Sequence, residues 1–82
     1  MVSVVEEALK SREYVHQYRI FLRRLRQARE SAGLTQEEVA RRLSRPQSFV
    51  SKCESGERRV DFVELRYLAR IYRKPISYFE TS

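Results

Sequence analysis

One cysteine, Cys53, stands in 82 residues, so no disulfide can close within the chain and a reducing compartment suits it. Glycine and proline are nearly as scarce. Gly33, Pro46, Gly56 and Pro75 each fall where the apolar pattern breaks, and they read as punctuation between elements. Long apolar runs are missing, and the opening MVSVVEEALK carries Glu6 and Glu7, which argues against a signal peptide or a membrane span. Strict alternation of polar and apolar residues is missing too, which removes strands as the main element. There are no paired catalytic carboxylates, no phosphate-cradling glycine loop and no zinc-ligand spacing, and His16 has no ligating companions. We expect no enzyme activity, no metal and no cofactor.

What the chain does have is positive charge. Seventeen Lys and Arg face eleven Asp and Glu, a net +6, and fourteen of the seventeen are Arg. On a chain with room for one small domain and a modest core, that balance is the footprint of a polyanion partner. Arginine suits bidentate recognition of phosphate or guanine edges better than lysine does.

Apolar residues recur at i, i+3, i+4 almost throughout, predicting an all-α domain. Tyr18, Phe21, Leu22, Leu25, Ala28 and Ala32 share one face of a helix over 18–32, ended by a left-handed Gly33. Thr35 and Glu38 form a capping box for a second helix that reaches about Leu43, with Leu34 stapled to Val39. Pro46 suits the first turn of a short helix that stops at Gly56. Asp61 and Glu64 repeat the start grammar, Val60 and Leu65 being the staple, and Phe62, Leu65, Leu68, Ala69 and Tyr72 are the inward stripe to about Arg73. Pro75 opens a last short helix over Ile76–Phe79. Val5, Leu9 and Val15 suggest either an extra helix or a leading extension of the first. The division expected is an N-terminal helical arm over 1–17 and one domain over 18–82.

Two short helices joined by three or four residues and flanked by longer ones have the geometry of a helix-turn-helix. The segment RQARESAGLTQEEVARRLSRPQSFVSKCESGERRV resembles the lambda-repressor-like, or XRE, family of helix-turn-helix regulators, and the likeness covers about residues 18–79. It is carried by Arg29, Gly33-Leu34-Thr35-Gln36, Ala40, Leu43, Ser48, Val50, Ser51, Glu54, Gly56 and the basic loop that follows. Three positions depart from the family pattern: Ser44 stands where glycine is usual, Pro46 where Ser or Thr often caps, and Cys53 where a larger apolar residue is common. The resemblance implies a five-helix bundle whose third helix enters the major groove of DNA, here with an extra N-terminal helical arm.

A helical wheel of 47–55 is consistent with that role. Phe49, Val50 and Cys53 fall within roughly 100°, while Gln47, Ser48, Ser51 and Lys52 cover the other side. Gln pairs bidentately with adenine, Lys donates to guanine, and Ser contacts either; the competing reading is a merely solvated polar face. Arg45, just before this helix, is placed to reach base or phosphate. Gln36 sits at a helix N-terminus, which attracts phosphate, and the resemblance puts a phosphate-contacting Gln there. Arg58 and Arg59 read as backbone clamps. Arg29 lies on an apolar stripe, and the resemblance pairs it with Glu54 as a structural ion pair. Arg19, Arg23, Arg24 and Arg26 form a basic run that is either a solvated face or an added phosphate contact.

The function expected is sequence-specific binding of double-stranded DNA by a cytoplasmic transcription regulator, a repressor. About four base contacts are few for tight monomeric binding, so a homodimer on an inverted repeat is expected, with no membrane. Relatives pair through the C-terminal region, which points to Ile76, Tyr78 and Phe79 as the interface, with Val2, Val4, Val5 and Leu9 of the arm as further unburied apolar surface. The alternative is an antitoxin or other interaction protein whose main partner is a protein, reached through the arm.

Overall fold

The computed structural model describes residues 4–80. Among them, five α-helices follow in order: α1 Val4–Leu9, α2 Arg12–Ser31, α3 Gln36–Leu43, α4 Gln47–Ser55 and α5 Phe62–Tyr72, followed by a 3-10 turn over Ile76–Phe79. No described helix is long and apolar enough to cross a membrane.

The helix placed by periodicity at 18–32 begins at Arg12, so the expected 17/18 boundary falls inside a continuous helix. Its start is local chemistry: the Ser11 hydroxyl accepts from the Tyr14 N–H at 3.1 Å, an N-cap that satisfies one of the orphan donors of the first turn. The separate α1 precedes that cap. Of the arm residues named above, Val2 lies outside the described residues, and Leu9 is exposed.

α3 and α5 both begin with a complete capping box, Thr35 with Glu38 and Asp61 with Glu64. Pro46 takes the N-cap of α4, not its first helical turn, and supplies no side-chain cap. All of α2 to α5 end by closing a left-handed residue under a backbone bond. Leu34 N–H donates to Arg29 C=O (3.2 Å), Arg45 to Ala40 (2.9 Å) and Lys74 to Ala69 (2.9 Å), the Schellman arrangement, while α4 closes with Gly56 N–H on Lys52 C=O (3.1 Å). Ser44 (φ 56°) and Arg73 (φ 57°) adopt this conformation without being glycine, at a cost of about 1–2 kcal/mol each. Gly56 is required twice over: φ is 87°, and a Cβ there would lie 3.0 Å from Leu22 Cδ1.

The core gathers Leu25 and Ala28 of α2, Val39 and Ala40 of α3, Val50 of α4, Leu68, Ala69 and Tyr72 of α5, and Phe79. Two sequence expectations fail here. Phe62 is 62% exposed, because it occupies the first position of α5, beyond the reach of the packed turns; only the Arg66 guanidinium lies over its ring, at 5.9 Å. Phe79, expected at an exposed interface, is 4% exposed. The 3-10 turn folds back on α2, so Phe79 meets Phe21 edge-on at 6.5 Å, and Arg24 locks the turn by donating to the Tyr78 carbonyl at 3.0 Å. Ile76 and Tyr78 are half-buried against the same core.

Candidate nucleic-acid interface

α4 is pinned on one side and open on the other. Val50 and Cys53 are buried and Phe49 half-buried, so nine residues gain a fixed orientation that no isolated helix of that length would hold. Burial also pushes the Cys53 thiol above its usual range, leaving it an uncharged apolar filler.

Glu54 fixes α4 to two other helices at once. Arg29 Nε donates to Glu54 Oε2 at 2.7 Å and Arg29 Nη2 to Oε1 at 3.1 Å, while Gln36 Nε2 donates to Oε1 at 3.1 Å. Arg29 Nη1 also donates to the Leu34 carbonyl at 3.0 Å, at the α2–α3 turn. The two charged side chains are only 12% and 8% exposed, and the hydrogen bond to Glu54 raises the Arg29 pKa further. A buried charge is tolerated when it is paired and hydrogen-bonded, and here each guanidinium nitrogen and each carboxylate oxygen has a partner. Gln36, assigned to phosphate from the sequence, thus has its amide nitrogen committed to Glu54.

The basic loop after α4 is also more committed than its sequence suggests. Arg58 forks onto Glu64, Nη1 to Oε1 at 2.8 Å and Nη2 to Oε2 at 2.7 Å, and stacks over the Phe49 ring at 4.6 Å. Arg58 raises its own pKa through that pairing and holds the Glu64 carboxyl below its ordinary range. Arg58 is therefore a brace between the loop and α5, because its neighbouring carboxylate neutralises the charge a phosphate would need. Arg59 lies over the rings of Tyr14 and Tyr18, 5.2 and 5.1 Å from their centroids, and donates to the Tyr14 hydroxyl. Tyr18 accepts from the Val60 N–H at 3.3 Å. Arg59 remains exposed, so it is aimed by the aromatic pair without being consumed by it.

What stays free is the outer side of α4. Gln47, Ser48, Ser51 and Lys52 are all exposed, and none of their side chains bonds to another described residue. Arg45 joins them at the N-terminal end, its guanidinium 5.5 Å over the Phe49 ring. The structure therefore brings together Arg45, Gln47, Ser48, Ser51 and Lys52, with Arg59 on the adjoining loop. It sets apart Gln36, Arg58, and the trio Ile76, Tyr78 and Phe79.

Sequence reasoning missed the Arg58–Glu64 fork and the Tyr14–Tyr18–Arg59 stack. The first spans only six residues, but Glu64 was already assigned to its capping box. The second had one local signal, two tyrosines at i, i+4, whose partner lies more than forty residues on and is reached only through the fold. A groove of about 380 Å³ runs beside the N-terminal end of α4, floored by Leu43, Phe49, Val63, Tyr67 and Leu68. Arg42, Arg45 and Asp61 stand among its lining residues.

The model of one protein family, described as a helix-turn-helix domain, matches residues 20–75. No curated protein and no solved structure shows a significant match to the chain.

Proposed function

The chain belongs to the XRE-type, lambda-repressor-like helix-turn-helix domains, and from that premise we propose that it is a sequence-specific transcription repressor binding double-stranded DNA as a homodimer in the cytoplasm. One observation carries this reading: the only side of α4 that is not engaged in the fold bears Gln47, Ser48, Ser51 and Lys52, hydrogen-bonding side chains suited to base edges. α4 lies in the major groove, Gln47 and Ser48 read bases at its N-terminal end, and Lys52 works farther along. Arg45 and Arg59 hold the phosphate backbone on either flank, positioning the helix without reading sequence.

The homodimer is assigned to a different surface from the one the sequence indicated. Phe79 is buried, whereas Phe62, Val63 and Tyr67 of α5 are exposed beside the groove that reaches Phe49. A second copy covering that face places the two reading helices on one side of the pair. On a duplex they must then sit about 34 Å apart, with half-sites centred about 10 base pairs from one another. Selection from random duplexes, followed by salt titration of the winners, tests the proposal. The expected product is an inverted repeat with that spacing; a pool without enriched sequence would reject readout, and an asymmetric single site bound by a monomer would reject the dimer.

A further inference from the structure

The outer face of α2 carries a feature that DNA readout does not use. Arg12, His16, Arg19, Arg23 and Arg26 follow one another at spacings of four and three, so they form a single stripe along the helix. It is about 21 Å long, at about 1.5 Å of rise per residue. All five residues are exposed. Among the described residues only Arg26 has an acidic partner, Glu30, and that contact is loose at 3.8 Å with both side chains more than half exposed. Arg24, part of the same sequence run, has left the stripe for the Tyr78 carbonyl and ring. The run has thus been sorted into one structural arginine and an exposed, arginine-rich face that Glu30 closes at its C-terminal end.

This stripe and the free side of α4 are turned away from one another. α2 and α4 meet through Leu22, Leu25 and Arg29 on one helix and Val50, Cys53 and Glu54 on the other. The stripe lies roughly 80–140° around α2 from Leu22, Arg29 and Leu25, and Ser48, Ser51 and Lys52 lie on the far side of α4 from Val50 and Cys53. The two faces are therefore turned by somewhat more than a right angle from one another, so that we take a straight duplex seated on α4 to leave the stripe uncovered.

We propose that the α2 stripe binds the phosphate backbone of a second segment of double-stranded DNA, so that the protein bridges two duplex segments. The proposal rests on the DNA-binding reading above. Charge selects a polyanion, and the regular spacing of arginines along a rigid rod suits a phosphate track that carries no sequence information. A lipid surface fits worse, because the apolar side that would insert is the side buried in the core, at Leu25 and Ala28.

The test immobilises an operator-bearing duplex, loads the full chain, washes, and passes a fluorescent unrelated duplex over it. Capture is expected, falling roughly a hundredfold between about 50 and about 200 mM salt, as near four phosphate contacts require. The triple variant R19Q/R23Q/R26Q, whose fold is checked by its melt, should still bind the operator but lose capture by at least about tenfold. Undiminished capture by the triple variant would place the second duplex elsewhere, for example on the reading helix of another protomer, and would overturn the proposal. So would capture of anionic vesicles or of polyglutamate with none of the duplex. A parent protein without any sequence preference would instead count against the readout on α4; the capture test then runs on any immobilised duplex.

Discussion

α3 and α4, the two helices of the helix-turn-helix, are eight and nine residues long and begin in opposite ways. α3 closes on itself: the Thr35 hydroxyl accepts from the Glu38 N–H at 3.1 Å, and the Glu38 carboxylate accepts from the Thr35 N–H at 3.1 Å. α4 begins at Pro46 with no side-chain cap, and its first two residues, Gln47 and Ser48, are exposed. One helix satisfies its end internally and serves as a support. The other leaves its positive end and its first polar side chains open to a ligand, and relies on Glu54, at the opposite end, for its anchorage. A reading helix is served by that division, because side chains spent on capping its first turn are not free for a ligand.

Removing the anchor should produce the largest effect. Glu54→Ala leaves the Arg29 guanidinium buried and the Gln36 amide unpaired, and is expected to destabilise the fold by about 3–5 kcal/mol. That is a large part of what a small domain possesses. The double change Arg29→Met with Glu54→Leu should restore much of it. Chemical denaturation of the two variants and the parent checks this; a single variant as stable as the parent would mean that α4 is held by its apolar face alone.

Removing the support's cap is a smaller change. Thr35→Ala should cost about 1 kcal/mol, whereas Gln47→Ala, at the corresponding end of α4, should fall within about 0.5 kcal/mol of the parent because Gln47 caps nothing. Equal losses in the two melts would erase the contrast between the helices.

Acid weakens the same self-closing ends. Glu64 titrates low chiefly through the hydrogen bonds of Arg58, and Glu38 through the Thr35 backbone N–H. Both folded values lie below the unfolded one, so their contribution is fully present above about pH 4.3 and is lost as pH falls through the folded values. Glu64→Gln should flatten that acid limb of the stability profile; an unchanged limb would show that the Arg58 fork does not persist in solution.

The smallest expected effect is at the turn between the two helices. Ser44→Gly removes the left-handed strain of a non-glycine residue and should stabilise by no more than about 1 kcal/mol, part of the gain being returned as backbone entropy. A destabilised variant would mean that the Ser44 side chain contributes contacts of its own.

The legible parts of this chain were those written in four or five consecutive residues. Both capping boxes, the left-handed Gly33, the helix stop at Gly56 and the inward face of α4 follow from local spacing, and the structure has each of them. Phe79 was misread because a chain-end aromatic looks unpartnered until the turn at Pro75 folds it onto Phe21, 58 positions earlier. Arg58 and Gln36 escape such local reading in another way. A sequence shows which side chains are cationic or amide-bearing, but not which carboxylate or ring the fold sets beside them. Arg58 and Gln36 are drawn into the scaffold by Glu64 and Glu54, while Gln47, Ser48, Ser51 and Lys52 have no such neighbour.

That freedom of the α4 outer face is the central claim, and one measurement addresses it directly: selection from random duplexes by the Gln47→Ala variant, alongside the parent at the same salt. The expected result is loss of preference at one position in each half-site, with about 1–3 kcal/mol lost on the parent's best duplex and an unchanged melting curve. An identical selected sequence bound with identical affinity would show that α4 does not read DNA.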